Sequence, residues 1–155
     1  MNPYKGTKEH PHHISVGVVL VNDKNEVACH FYEEPGIRNY PKNFYTLLHE
    51  SPEENETLEQ TAMRGLREEY SMTGTFDRYA GSLVSWFDLE GVRVERTVLY
   101  FLYKLTSIGE RDLTDPESIS EIKWMNIDDL VAIMKTQGED DESKILEDVK
   151  KFYLG

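Results

Sequence analysis

Between Glu56 and Gly74 the chain reads ETLEQTAMRGLREEYSMTG, and at helical spacing Glu59, Arg64, Arg67, Glu68 and Glu69 fall on one side of it. Adjacent Glu68 and Glu69 repel each other unless a cation lies near. Grouped carboxylates are oxygen donors for a hard divalent ion such as magnesium, which keeps positions open for substrate phosphates. The plainer alternative is a solvated charged face tied by ion pairs, with Arg64 reaching Glu68 across one turn.

Other side chains suit an anionic, ring-bearing ligand. The stretch Glu33 to Asn43 (EEPGIRNYPKN) has two prolines and a glycine, so it reads as an exposed loop. It offers Arg38 and Lys42 to phosphate oxygens and Tyr40 as a ring for a nucleobase. Trp86 and Phe87 are further candidates for a base pocket, with a place in the core as the alternative. His10, His12 and His13 are close enough to suggest a transition metal, but no cysteine or carboxylate spacing completes such a site.

The elements that must position these groups are legible in outline. Thr57 followed by Gln60 is a capping-box pattern, so a helix is expected from Leu58, with Leu58, Ala62, Met63, Leu66 and Tyr70 facing a core and Gly74 as its stop. Ile14 to Val21 is a near-continuous apolar run, expected as a strand buried on both faces, and the turn Asn22 to Asn25 returns it as a second strand, Glu26 to Tyr32. Phe44 to Leu48 reads as a short strand leading into an acidic loop, His49 to Asn55. Tyr79 to Asp88 and Val92 to Leu105 read as a hairpin about Leu89 to Gly91, with Thr97 to Tyr103 as a central strand. Glu121 to Met125 alternates as a last strand, Asn126 is placed to cap a helix over Ile127 to Lys135, and Ile145, Leu146, Val149, Phe152 and Tyr153 mark a C-terminal amphipathic helix.

With 155 residues, 39% of them hydrophobic, one domain spanning 1–155 is expected, its first ten or so residues loose and 139–155 packed on the core as a helix. The order of elements suggests an α/β (α+β) sandwich with a mixed sheet between helices. A net charge of -12 disfavours long nucleic acids as partners. No apolar run reaches membrane-spanning length and the N-terminus lacks the layout of a secretory signal, so no membrane partner and a cytoplasmic location are expected. Cys29, the single cysteine, excludes an internal disulfide and is expected in a buried strand.

The segment also resembles the Nudix box, Gx5Ex7REUxEExGU with U a bulky aliphatic residue. Glu56 and Arg64 stand seven residues apart in between, and Arg64-Gly65-Leu66-Arg67-Glu68-Glu69 lies over REUxEE without a gap. Phe44, Leu47 and Glu56-Thr57 resemble the segment that leads into the box, and EIKWMNIDDL resembles the family's closing strand and acidic helix start. Three positions depart from the pattern: Glu50 and Ser71 stand where it has glycines, and Gly65 where it has a glutamate that binds metal.

The resemblance covers roughly residues 12 to 136 and implies an alpha/beta/alpha sandwich. It further implies a pyrophosphohydrolase that uses Mg2+ (or Mn2+) to cleave a nucleoside diphosphate linked to another moiety. Glu69, Glu68, the backbone carbonyl of Glu50 and Glu56 are the metal positions it implies, with Glu56 also the partner of Arg64. Glu117 or Glu121 would supply the base that some members carry before the last strand. A small nucleotide is the implied substrate, and a homodimer is open because dimers are common among relatives. The loss of a ligand at Gly65 supports an alternative, a nucleotide-binding or protein-interaction module with impaired catalysis. On this register a glutamate introduced at 65 is expected to raise metal affinity or rate.

Overall fold

The computed structural model describes residues 1–35, 40–112, 114, 120–138 and 141–154. Its frame is β1 (His12–Val21), whose alternating side chains feed two cores. Val16, Val18 and Leu20 point to one face, where they meet Ala28, Leu48, Ala62, Leu66, Tyr70 and Tyr103. Val19 and Val21 point to the other, packed with Val27, Cys29, Leu102, Leu130, Met134, Leu146 and Val149. A strand covered on both sides needs no polar alternation, which is why its sequence is apolar throughout.

The first core is closed by α1 (Leu58–Gly65), continued by a π-helical turn over Leu66–Tyr70. The second is closed by α2 (Ile127–Met134) and α3 (Ser143–Tyr153). Between the layers lies one mixed sheet: β2 (Glu26–Tyr32), β3 (Phe44–Thr46), β4 (Leu48–Glu50), β5 (Met72–Leu89), β6 (Val92–Ile108) and β7 (Glu121–Asn126) complete it. β1 runs parallel to β6 in continuous register from His12↔Glu95 to Val21↔Lys104. The other pairings are antiparallel, and β6 lies between β1 and β5 as a central strand should. This is the expected α/β sandwich.

The local signals hold at the ends of the elements. Thr57 and Gln60 make both halves of the capping box, and Asn126 Oδ1 accepts from Asp128 N and Asp129 N at the start of α2. Glu90 and Gly91 both have positive φ in the β5–β6 turn. Cys29 is buried in β2. Among the described residues no helix is long and apolar enough to cross a membrane.

Three expectations are corrected. The first is the single strand Phe44 to Leu48, which splits at Leu47. β3 pairs with β2 and β4 with β1, because β1 and β2 splay apart and the chain crosses from one edge to the other. His49 and Glu50 are therefore strand residues and not part of an acidic loop. Secondly, the helix ends at Ser71, which takes the left-handed conformation (φ 57), while Gly74 lies within β5 and pairs with Leu105. Thirdly, β5 begins at Met72 and not near Tyr79. Its early part is irregular, with register shifts between Thr73 and Gly74, Phe76 and Arg78, and Tyr79 and Gly81, which blur the two-residue period.

At the C-terminus Ile145, Leu146 and Val149 are buried whereas Phe152 is exposed. The N-terminal segment contacts the sheet through Ile14 N donating to Tyr4 O at 2.9 Å and reaches Pro52 O through Asn2 Nδ2 at 2.8 Å.

Candidate functional site

Glu68 and Glu69 are adjacent in sequence yet stand in different surroundings. Glu68 is exposed, whereas Glu69, three residues after buried Leu66, turns toward the sheet and is 7% exposed. The reading that put both acids on the solvent face is thus corrected for Glu69. The physical reason is helical spacing: positions 62, 65, 66, 69 and 70 share the inner face.

A buried carboxylate needs partners. Glu69 Oε1 lies 2.9 Å from His30 Nε2 on β2, and His30 Nδ1 lies 2.6 Å from Ser120 Oγ, just before β7. Arg111 closes the network: its Nε donates to Glu69 O at 3.2 Å and its guanidinium also bonds the carbonyl and hydroxyl of Ser120. The π turn is thereby tied to the segment that leads into β7.

On the other side of Glu69 stands the Glu50 side chain. The two carboxyl groups are close enough to influence each other's charge. Burial pushes Glu50 up, the Glu69 charge adds to that, and Arg64 only partly offsets them, so Glu50 titrates at about 7. Neighbouring carboxyls are favoured by a proton or a cation that relieves their repulsion.

Arg64 is the clamp beneath this pair. Its Nε and Nη2 each donate to Glu56 at 2.9 Å, Nη2 also donates to Ser51 O at 2.8 Å, and Nη1 reaches Glu50 at 3.3 Å and Glu68 at 3.5 Å. Glu56 also accepts from Thr61 Oγ1 at 2.7 Å and from Glu53 N at 3.0 Å. The Arg64 hydrogen bonds hold the Glu56 carboxyl down at about 2. With its acceptors so committed, Glu56 shapes the loop that carries Glu50 and Ser51. The expected link between Arg64 and Glu68 exists but is the longer one.

Beside the acids the surface opens into two adjoining hollows. One is bordered by His13, Glu50, Ser51 and Arg96. The other, about 510 Å³, is lined by Tyr40, Phe44, Trp86, Phe87, Arg93 and Arg96 among others. Tyr40 and Phe44 stack with centroids 4.4 Å apart and planes 11° from parallel, and Arg93 lies over the Trp86 ring at 4.7 Å. Arg96 borders both hollows, held by its Nε donating to Ser85 Oγ at 3.0 Å.

The larger hollow is floored by a second buried carboxylate. Glu142, at the start of α3, accepts from Thr46 Oγ1 at 3.1 Å and Leu47 N at 2.9 Å, from the Tyr100 hydroxyl, and from His49 Nε2 at 2.6 Å. Burial alone would push His49 down and Glu142 up. Their mutual attraction outweighs it, holding His49 above its ordinary 6.5 and Glu142 below its ordinary 4.5. The raised group stabilises the fold fully below about pH 6.5 and loses that contribution as pH climbs through its folded value. The depressed group contributes fully above about pH 4.5 and loses its contribution as pH falls. Denaturation measured across pH should therefore show a wild-type advantage over Glu142→Gln that is widest between about 4.5 and 6.5 and shrinks on either side. A pH-independent difference would mean that the pair is not ionised.

Of the residues singled out in the sequence, Glu69, Glu50, Arg64, Glu68 and Glu56 do gather at one place, and Tyr40 and Trp86 line the aromatic hollow. Lys42 is exposed, and Glu121 is exposed at the start of β7, next to Ser120. Arg38 and Glu117 lie outside the described residues. Sequence reading missed His30, Arg96, Arg111, Ser120, His49 and Glu142. Their partners lie far along the chain, and only the unusual polarity of His30 within an apolar strand hinted at any of them.

The donor chemistry fits a hard divalent cation: two oxygen-bearing side chains face each other, and the bare Cα of Gly65 leaves room for one of them. Among the described residues, no three His, Cys, Asp or Glu side chains are already grouped to hold an ion.

Comparison with known proteins identifies the family and the fold. A Mycobacterium tuberculosis (strain CDC 1551 / Oshkosh) chain named for the mutator protein MutT4 is 36% identical over 75 residues, 48% of this chain. The matched stretch is only 29% of that protein. The structure of a C. elegans Ap4A hydrolase binary complex matches with a TM-score of 0.65 at 19% identity over 92% of this chain and 98% of that one. The E. coli dihydroneopterin triphosphate pyrophosphohydrolase matches with a TM-score of 0.63 at 18% identity over 91% and 94% of the two chains. At such identities these structures speak for the fold alone. The NUDIX domain profile matches residues 11–149, nearly the whole chain, and with the box residues gathered around Glu69 the chain belongs to the Nudix family.

Proposed function

We propose that the protein is a divalent-metal-dependent Nudix hydrolase that cleaves the pyrophosphate bond of a nucleoside diphosphate linked to another moiety. One observation carries the reading: the buried carboxylate Glu69 lies beside Glu50, Glu50 and Arg96 border one hollow, and Arg96 also lines the adjoining aromatic one. The names of the two structural relatives, an Ap4A hydrolase and a dihydroneopterin triphosphate pyrophosphohydrolase, suit a substrate with a phosphate chain and a flat ring.

Glu69 and Glu50 would hold Mg2+ or Mn2+, with Glu68 one position away on the more open side. When bound, such an ion neutralises phosphate charge and makes its water acidic enough to attack near neutral pH. Arg64 and Glu56 position the loop, and the His30–Ser120–Arg111 chain fixes the direction of the Glu69 carboxylate. Arg96 would meet phosphate oxygens, joined by Lys42 and by Arg38, four residues before it in the sequence. Tyr40, Phe44 and Trp86 offer faces to the base. Glu121, and Glu117 in the segment before it, remain the proposed bases for the attacking water.

The test is a titration of Mg2+ and Mn2+ against a panel of dinucleoside polyphosphates, nucleoside diphosphate sugars and nucleoside triphosphates. Phosphate-containing products that disappear on chelation support the reading. Tight nucleotide binding without turnover by any panel member would favour the non-catalytic binding module instead.

A further inference from the structure

We propose that the side chain of Glu50, carried by β4, supplies the carboxylate that the box helix lacks at residue 65, so that positions 50 and 65 have exchanged glycine and glutamate. The cation would then be held between a strand and a helix. This rests on the metal-dependent reading above and goes beyond the backbone-carbonyl role that the resemblance implies for residue 50.

Space is the first argument. Gly65 is buried, and a Cβ built on it would lie 2.9 Å from Leu48 Cδ2, 3.2 Å from Glu50 Cβ and 3.6 Å from Glu50 Cγ. The stem of Glu50 therefore runs through the volume that a side chain at 65 would need. Glycine at 65 is what allows Glu50 to lie across the helix.

Direction is the second. Leu48, His49 and Glu50 pair with Val18, Gly17 and Val16 of β1, so the strand period sends Leu48 and Glu50 to the helix face and His49 to the opposite face, toward Glu142. Glu50 on that face lies close enough to Glu69 to feel its charge, while Arg64 Nη1 holds Glu50 at 3.3 Å. A glutamate at 65 would approach Glu69 from one helical turn away. Glu50 reaches the same acid from the strand.

The exchange reverses the expectation that Gly65→Glu adds a ligand. That substitution alone would set two carboxylate stems in one space, against Leu48.

The experiment is Mn2+ binding to the full chain without nucleotide, followed by the electron paramagnetic resonance of free Mn2+. Glu50→Gln keeps the packing and removes the charge, and is expected to weaken Mn2+ binding by about tenfold or more. Glu50→Gly with Gly65→Glu in one chain is expected to return affinity to within about threefold of wild type, a difference of less than about 1 kcal/mol. Gly65→Glu alone is expected not to tighten binding.

The proposal is overturned if Glu50→Gln binds Mn2+ as wild type does while Glu69→Gln is weakened, an outcome that leaves the metal site itself standing. A tighter Gly65→Glu variant would also overturn it. If neither Glu50→Gln nor Glu69→Gln weakens Mn2+, the metal-dependent reading fails with it. Should the double exchange not fold, Glu50→Gln still decides.

Discussion

Replacing Glu69 by glutamine is expected to lower metal-dependent turnover by about 10³-fold, or ~4 kcal/mol in the barrier, with little change in melting temperature. Glutamine matches the shape of glutamate and can still meet His30 Nε2, which lies 2.9 Å from the native carboxylate. The substitution therefore removes charge from the centre of the site without opening a cavity. It also relieves the charge repulsion with Glu50, so the fold loses little and some stability is regained. Steady-state kinetics with the best substrate of the panel, paired with thermal denaturation, would separate the two effects. Full activity in a folded Glu69→Gln protein would place the chemistry elsewhere.

A second large effect is expected within the sheet, at a position paired with the strand that carries Glu50. Gly17 in β1 pairs with Tyr100 of β6, and the Tyr100 ring lies across the space where a Cβ at 17 would stand. The ring cannot simply move aside, since Tyr100 is 1% exposed and its hydroxyl donates to Glu142. Gly17→Ala is therefore expected to destabilise the protein by about 3 kcal/mol, at the upper end of overpacking costs, and to lower the melting temperature by about 10 °C. In a Tyr100→Leu background the same change should cost much less, because the smaller side chain leaves room. Equal losses in both backgrounds would show that the ring is not the obstacle.

These two positions mark where sequence reasoning succeeds and where it stops. β1, β2, β7, the β5–β6 hairpin and the start of α1 were legible because their signals are local: alternation, a capping box, an Asn cap, a turn with positive φ. Glu69 was legible as a site residue through its place in the box, and its burial follows from its distance to Leu66. The division of β3 from β4 at Leu47 was not, because nothing local records that β1 and β2 diverge. Nor were the buried bonds of His30 with Ser120, or of His49 with Glu142, which join residues on separate elements. Glu50 and Gly65 each looked like a defect in the pattern when taken singly. Their contact shows why neither can be judged without the other.

The parallel pairing of β1 with β6 bears on how the protein is made. A chain emerging from the ribosome presents the apolar run Val16 to Val21 long before its neighbour, Leu99 to Lys104, has been synthesised. During that interval the nascent segment has an open edge and is vulnerable to association with other chains, so cellular yield should depend on chaperone supply and elongation speed. Premature termination anywhere before Glu95 would leave a product unable to close its sheet.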